Sequence, residues 1–340
     1  MRVLRSAAAV LFLSAGMLLP GLINQFAFAN EAPAASAERP VLDLAFLIDT
    51  TGSMGGEIEM VKKKTKDLVA KLASGKPAPV VRVGLVAYRD RGDDYVTKVF
   101  PFSDDIDKVV KDITALNAAG GGDTPEAVNQ GLHVALNDLE WTKNKKASKL
   151  LFLIGDAAPH IYPNDFNWET EAKNAISRGI QINTIGCDGL DSSGTTVFEK
   201  IAKLSDGSFE TLAYRQEIVN SEGKKETLIT SGGSTYRVRA GAESSWKAGA
   251  KDLAAKGLAI AAPAPAATMA KRSHSSRGTV FYPAAMPMSA DAMEGGVRGA
   301  SLGYSASYGG VNRGDSNLDD VMLNAARSKL KKDASIIYTK

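Results

Sequence analysis

The chain has 340 residues, with 41 Lys and Arg against 38 Asp and Glu, and a single cysteine, Cys187. A net charge of +3 gives no basis for nucleic-acid binding or for adhesion to a strongly charged membrane. One cysteine excludes an intramolecular disulfide and a Cys-based zinc site.

The first 29 residues read as a targeting segment. Arg2 and Arg5 form a basic start, residues 7–19 an apolar stretch, and Ala27-Phe28-Ala29 an A-x-A cleavage site before Asn30. The apolar stretch is short for a membrane span and is followed by Pro20, Asn24 and Gln25. An uncleaved N-terminal anchor would share these features. Cleavage leaves 39 basic against 38 acidic residues, a net charge of +1, and no transmembrane span. An exported chain without disulfides fits a bacterial periplasm or the cell exterior. Residues 30–40 form an Ala/Pro-rich linker.

From residue 41 strand and helix patterns alternate. Apolar runs predict strands at 42–48, 80–88, 96–100, 149–155, 180–186 and about 207–212. Helical periodicity predicts helices at 54–73, 104–116, 125–139, 167–178 and 195–205. Such alternation implies a doubly wound α/β fold with a mostly parallel sheet, 96–100 being its antiparallel edge. The domain spans 41–215. Residues 216–315 are polar or rich in Gly, Ala and Met and are expected to be a low-complexity, partly disordered region, with one helix across 242–260. A last helix is expected over 316–332, capped by Ser316, with Leu318, Val321, Met322, Ala325 and Leu330 as its apolar stripe.

Three loops carry the chemistry. The first predicted strand ends in Asp49-Thr50-Thr51-Gly52-Ser53, one carboxylate and two hydroxyls on alternate residues. Oxygen donors of this kind suit Mg²⁺, Mn²⁺ or Ca²⁺, although an Asp N-cap followed by hydroxyls at a helix start would read the same. The second loop is Gly120-Gly121-Gly122-Asp123-Thr124-Pro125-Glu126, in which Pro125 suits the first turn of the following helix. The third is the buried-looking run that ends in Gly155-Asp156. In an open α/β sheet, loops at the carboxyl ends of strands point into the ligand-binding crevice.

The first loop resembles the metal-ion-dependent adhesion site of von Willebrand factor A (vWA) domains, written Asp-x-Ser/Thr-x-Ser. The pattern Asp123-x-Pro125-Glu126 and the run Asp156-Ala157-x-x-His160 are similar to the metal-binding domain of integrin β subunits. They are also similar to vWA domains that accompany α-kinases and extracellular matrix proteins. The resemblance implies a Rossmann-like vWA fold holding one divalent cation. Asp49, Thr51 and Ser53 would serve from the first loop, and Asp156 from the third, directly or through water. Asp123, Thr124 and Glu126 are the second-loop candidates, and whether Thr124 or Glu126 ligates stays open. A second metal would need acids just after Ser53, where Gly55 and Gly56 stand and only Glu57 is near.

The function this implies is ligation: a partner's Asp, Glu or terminal carboxylate completes the metal's open position, as in cell adhesion. The charged loop after the second strand supplies Tyr88, Arg89 and Asp90 as a recognition rim, with His160 lining the cleft; ordinary surface-loop roles are the alternative. A metal-free vWA scaffold acting through its tail and helix faces is the competing reading. A hydrolytic enzyme is disfavoured, because the sequence contains no Gly-x-Ser-x-Gly elbow, no Walker loop and no zinc-type His/Glu motif.

Overall fold

The structure, a computed structural model, describes residues 39–122, 124–220, 222–262 and 315–338. The targeting segment, Asp123 and residues 263–314 lie outside the described residues.

Six strands form the main sheet: β1 (Val41–Asp49), β2 (Val80–Tyr88), β3 (Thr97–Ser103), β4 (Ser148–Gly155), β5 (Ile180–Gly186) and β6 (Phe209–Thr211). Their spatial order is β3-β2-β1-β4-β5-β6. Only the β2–β3 pairing is antiparallel. The chain winds outward from β1 to β3, then returns past β1 to β4. Strand order therefore reverses between β1 and β4, and the crevice of a doubly wound sheet opens beyond their carboxyl ends. Ile48 of β1 pairs with Ile154 of β4, so Asp49 and Gly155 end side by side.

The period of two along β1 sorts its side chains between two cores. Leu42, Leu44, Phe46 and Ile48 face α1 (Gly55–Ala73) and α2 (Ile106–Thr114). Ala45 and Leu47 face α3 (Val128–Asn137), α4 (Trp168–Ser177) and α5 (Ser192–Leu204). Burial on both faces explains why β1 and β4 are near-continuous apolar runs.

Helix α3 starts at Val128, not at the expected residue 125. Pro125 and Glu126 belong to the loop instead: Glu126 N–H donates to the Ala158 carbonyl at 3.0 Å, and Glu126 bridges Pro159. Backbone pairing with the third loop replaces the first helical turn.

The second difference concerns residues 216–262, where a low-complexity region is expected. Here β7 (Tyr214–Val219), β8 (Lys225–Ser231), β9 (Ser234–Val238) and β10 (Ala259–Ala262) make an antiparallel four-stranded sheet. The single helix expected over 242–260 is a 3₁₀ turn (Glu243–Ala248), the short α6 (Ala250–Ala255) and β10. One face of this sheet packs a core built on Ile229 and Val238 with Trp246 and Leu253. Charged and polar residues such as Arg215, Gln216, Glu217, Lys225, Glu226 and Thr227 dominate β7 and β8, which hides these strands from a hydrophobicity reading. Gly232 and Gly233, both at positive φ between the paired Ser231 and Ser234, form the two-residue turn that marks the hairpin.

The last helix, α7, runs over Leu318–Ala334. Leu318, Met322, Ala326 and Leu330 are fully buried in the same core as α1 and β4. Leu323 is also buried, while Val321 and Ala325 are only partly so. Asn317, not Ser316, is the N-cap residue, and its side chain does not cap the helix. Its Oδ1 instead accepts the Ala213 N–H at 2.9 Å, tying α7 to the residue before β7. Among the described residues no helix is long and apolar enough to cross a membrane.

Candidate metal centre

Asp49 is fully buried at the end of β1. One carboxylate oxygen, Oδ1, accepts from the Thr51 N–H at 2.8 Å and from the Thr51 hydroxyl at 2.7 Å. The other, Oδ2, is buried and has no hydrogen-bond partner among the described residues. Thr51 is buried, Ser53 is exposed, and their hydroxyl oxygens lie 3.3 Å apart. Thr50, between Asp49 and Thr51, turns the other way and bonds the Tyr88 carbonyl and the Tyr95 hydroxyl. Alternate residues thus share one face, as the Asp-x-Thr-x-Ser spacing requires.

The glycine loop closes over this face. The Gly52 N–H donates to the Gly120 carbonyl at 3.1 Å. Gly121 adopts φ +73°, and a Cβ on it would lie 2.8 Å from Thr51 Cβ and 3.3 Å from Glu126 Oε1. Only glycine fits both the backbone and the space. Of the two open candidates in this loop, Thr124 is exposed, whereas Glu126 is 2% exposed and interacts electrostatically with Asp49. Glu126 Oε2 is the second buried carboxylate oxygen without a partner among the described residues. Asp156, half-buried after β4, adds a third negative charge felt by both.

The electrostatics follow from this crowding. Burial, reinforced by the charge of Asp156 and opposed by the Thr51 hydrogen bonds, pushes the Asp49 carboxyl up to about 7. Burial and then the charges of Asp49, Asp90, Asp93 and Asp156 push Glu126 up to about 9. Burial, with the charges of Asp49, Asp156 and Glu126, also raises the Tyr88 phenol well above its ordinary value. Its hydroxyl is fully buried without a partner among the described residues, and lies 2.4 Å from where a Gly155 Cβ would be. Gly155 is therefore required for close approach between the floor of the site and the strand that delivers Asp156.

Buried carboxylates of this kind fit a hard divalent cation, which would supply the missing partner for Asp49 Oδ2 and Glu126 Oε2. Among the described residues no three acidic or imidazole side chains converge closely enough to enclose an ion unaided. A cation here would draw on a mixed set of candidates: Asp49 and Glu126, the Thr51 and Ser53 hydroxyls, and Asp156 at the rim. With so few anionic protein donors, a bound cation would keep part of its shell for water or a partner.

Three of the expected rim residues lie inside the protein. Tyr88 is fully buried, Arg89 is 4% exposed and Asp90 5% exposed. Arg89 donates to the carbonyls of Thr50 and Asn117 at 3.1 and 2.9 Å and stacks over Tyr95. Both carboxylate oxygens of Asp90 lie 2.6 Å from the Tyr162 hydroxyl. Their loop supports the site from below because its charges serve internal carbonyls and hydroxyls. His160 adjoins the site through its backbone: its N–H donates to the Glu126 carbonyl at 2.7 Å, and its Nδ1 is 3.5 Å from Asp90 Oδ2.

Two residues take supporting roles that the sequence does not assign them. Asp93 accepts the Gly121 N–H on both carboxylate oxygens, at 3.2 and 3.1 Å, and so holds the glycine loop. Its only sequence signal was the charge density of residues 89–95. Glu57, the sole acid considered for a second metal, is buried in the first turn of α1 and accepts a hydrogen bond from the Tyr214 hydroxyl at the start of β7. It links α1 to the appended sheet.

Comparison with known proteins agrees with this architecture. A family model described as the von Willebrand factor A domain matches residues 43–214. A putative ariadne-like RING finger protein of Acanthamoeba polyphaga mimivirus is 32% identical over 151 residues, 44% of this chain and 14% of its own length. The human von Willebrand factor A domain-containing protein 7 is 38% identical over 97 residues, 28% of this chain and 10% of its own. The chain thus spans only a small part of these relatives. Among solved structures, proximal thread matrix protein 1 of the mussel byssus, with a zinc-occupied MIDAS motif, aligns over 50% of this chain and 41% of its own. That match has 18% identity and a TM-score of 0.39. With the family model covering half of its residues and the six-stranded sheet in place, this chain belongs to the von Willebrand factor A domain family.

Proposed function

We propose that the chain is an exported protein-binding module whose contact is made through a divalent cation, Mg²⁺ or else Mn²⁺ or Ca²⁺, in the Asp49–Glu126 site. The observation that carries this reading is the pair of buried carboxylate oxygens, Asp49 Oδ2 and Glu126 Oε2, without partners among the described residues. Leaving such groups bare costs several kcal/mol, roughly 1–3 or more for each, and a cation removes that cost. Bound there, the cation supplies a Lewis-acidic position that a partner's Asp, Glu or terminal carboxylate completes. The protein's own groups hold and orient. Thr51 and Ser53 present hydroxyls, Gly121 allows close approach, and Asp93 fixes the loop above.

We read the site as ligating and not catalytic. His160, the imidazole beside it, is stacked on Tyr162 and set against Asp90, as a structural group would be. Export rests on Arg2, Arg5, the apolar stretch and Ala27-Phe28-Ala29.

The test is water relaxation on the Mn²⁺-loaded protein. Bound Mn²⁺ should show exchangeable water, displaced by N-acetylglutamate amide and not by the glutamine analogue. Equal effects of the two compounds would defeat the open-position reading.

A further inference from the structure

Ile161 is 83% exposed, the most exposed large apolar side chain among the described residues. A single exposed isoleucine on a loose loop would call for no explanation. This one stands on a fixed loop. Its neighbour His160 donates a backbone N–H to the Glu126 carbonyl, and the His160 carbonyl accepts from Asn129 Nδ2 at 3.2 Å. On the other side, the Tyr162 hydroxyl is held by buried Asp90. The His160 ring stacks on the Tyr162 ring at 3.9 Å and 15°, and the Arg91 guanidinium lies 3.9 Å from the same ring centre. Two groups at that distance must occupy opposite faces of the ring. Arg91 is fixed in turn by Asp165 at 3.2 Å.

The residues before and after Ile161 are thus committed to the interior and to each other, while Ile161 is left pointing to solvent. The His160 N–H bond to the Glu126 carbonyl places Ile161 one residue from a backbone contact with that candidate ligand. Holding an apolar side chain in water on a pre-organised loop stabilises nothing in the free chain. It lowers the ordering cost of burying that side chain against a partner.

We infer that Ile161 is the apolar anchor of the partner interface, and that the partner is a protein segment carrying an apolar side chain next to the carboxylate that seeks the metal. This deepens the reading of the site given above and rests on it.

The test pans a random peptide library on the full-length protein in Mg²⁺, with chelator as counter-selection. The expected peptides carry Asp or Glu within one or two positions of an aliphatic or aromatic residue. A synthetic selected peptide should bind Ile161→Ser about tenfold or more weakly, as loss of a buried anchor does, and Ile161→Leu nearly as well as wild type. Calorimetric Mg²⁺ affinity should be the same in all three proteins. Acidic, metal-dependent peptides that bind Ile161→Ser as tightly as wild type would overturn the anchor and leave the metal reading standing. No chelator-sensitive enrichment would overturn both. Metal-dependent self-association of the protein that is lost in Ile161→Ser would assign the face to a second copy and overturn the proposed partner.

Discussion

Leu330→Ala tests whether α7 is part of the domain, although it begins about a hundred residues beyond the end of the family match at residue 214. Leu330 is fully buried in the core shared with α1, as are Leu318 and Met322. Truncating one such side chain costs about 2–5 kcal/mol through lost transfer energy and the cavity left behind. At about 3 kcal/mol the melting temperature of a domain this size falls by about 6–12 °C. Removing the whole helix forfeits the burial of three such side chains at roughly 2 kcal/mol each, about 6 kcal/mol in all, comparable with the entire stability of a domain, about 5–15 kcal/mol. A chain ending at residue 262, which keeps the appended sheet and lacks α7, should therefore not melt cooperatively. Thermal and urea unfolding would measure both, with Lys332→Ala as control, since its ion pair with Asp206 is exposed and screened by solvent. If Leu330→Ala melts like Lys332→Ala, or the truncated chain unfolds cooperatively, the helix is an accessory and the argument fails.

Tyr214→Phe removes the hydroxyl that donates to buried Glu57 and should cost about 1–3 kcal/mol in urea unfolding; a change under half of that would show the link to be dispensable. Gly121→Ala forces φ +73° on a side chain and brings its Cβ to 2.8 Å from Thr51, so calorimetric Mg²⁺ affinity should drop, and unchanged affinity would remove the loop from the site. Asp49 and Glu126 hold protons to about 7 and about 9, against ordinary values of 3.8 and 4.5. Folding without metal therefore takes up protons, and the metal-free protein should lose stability as pH rises between those limits. Since a cation displaces the same protons, Mg²⁺ affinity should rise from pH 6 to pH 8 with proton release; a flat profile would contradict the assigned ligands.

The main sheet was legible because its central strands are buried on both faces, so their apolar runs stand out against amphipathic helices. Asp49, Thr51 and Ser53 were legible because alternation along an extended segment puts them on one face. Choosing between Thr124 and Glu126 was not possible from spacing: which of them turns inward depends on Glu126 pairing with Ala158 and Pro159, a contact between distant loops. The rim assignment of Tyr88, Arg89 and Asp90 went astray for the same reason. Charge density in a loop does not tell which side chains turn inward to serve carbonyls such as Thr50 and Asn117. The appended sheet was hidden by the charged and polar residues that dominate β7 and β8, although Gly232-Gly233 offered a hairpin signal. The place of α7 was hidden by sequence separation, although its apolar stripe was plain.

The most direct test of the account is calorimetric titration of Mg²⁺ and Mn²⁺ into wild type and Asp49→Asn, with melting curves in metal and in chelator. Asn keeps an acceptor for the Thr51 N–H and hydroxyl and removes one of the crowded charges. Wild type should bind one cation and gain about 2.7 kcal/mol of stability at a hundredfold excess over its Kd. Asp49→Asn should bind none, and in chelator should melt at or above wild type. Identical melting of both proteins in metal and in chelator would contradict the metal centre.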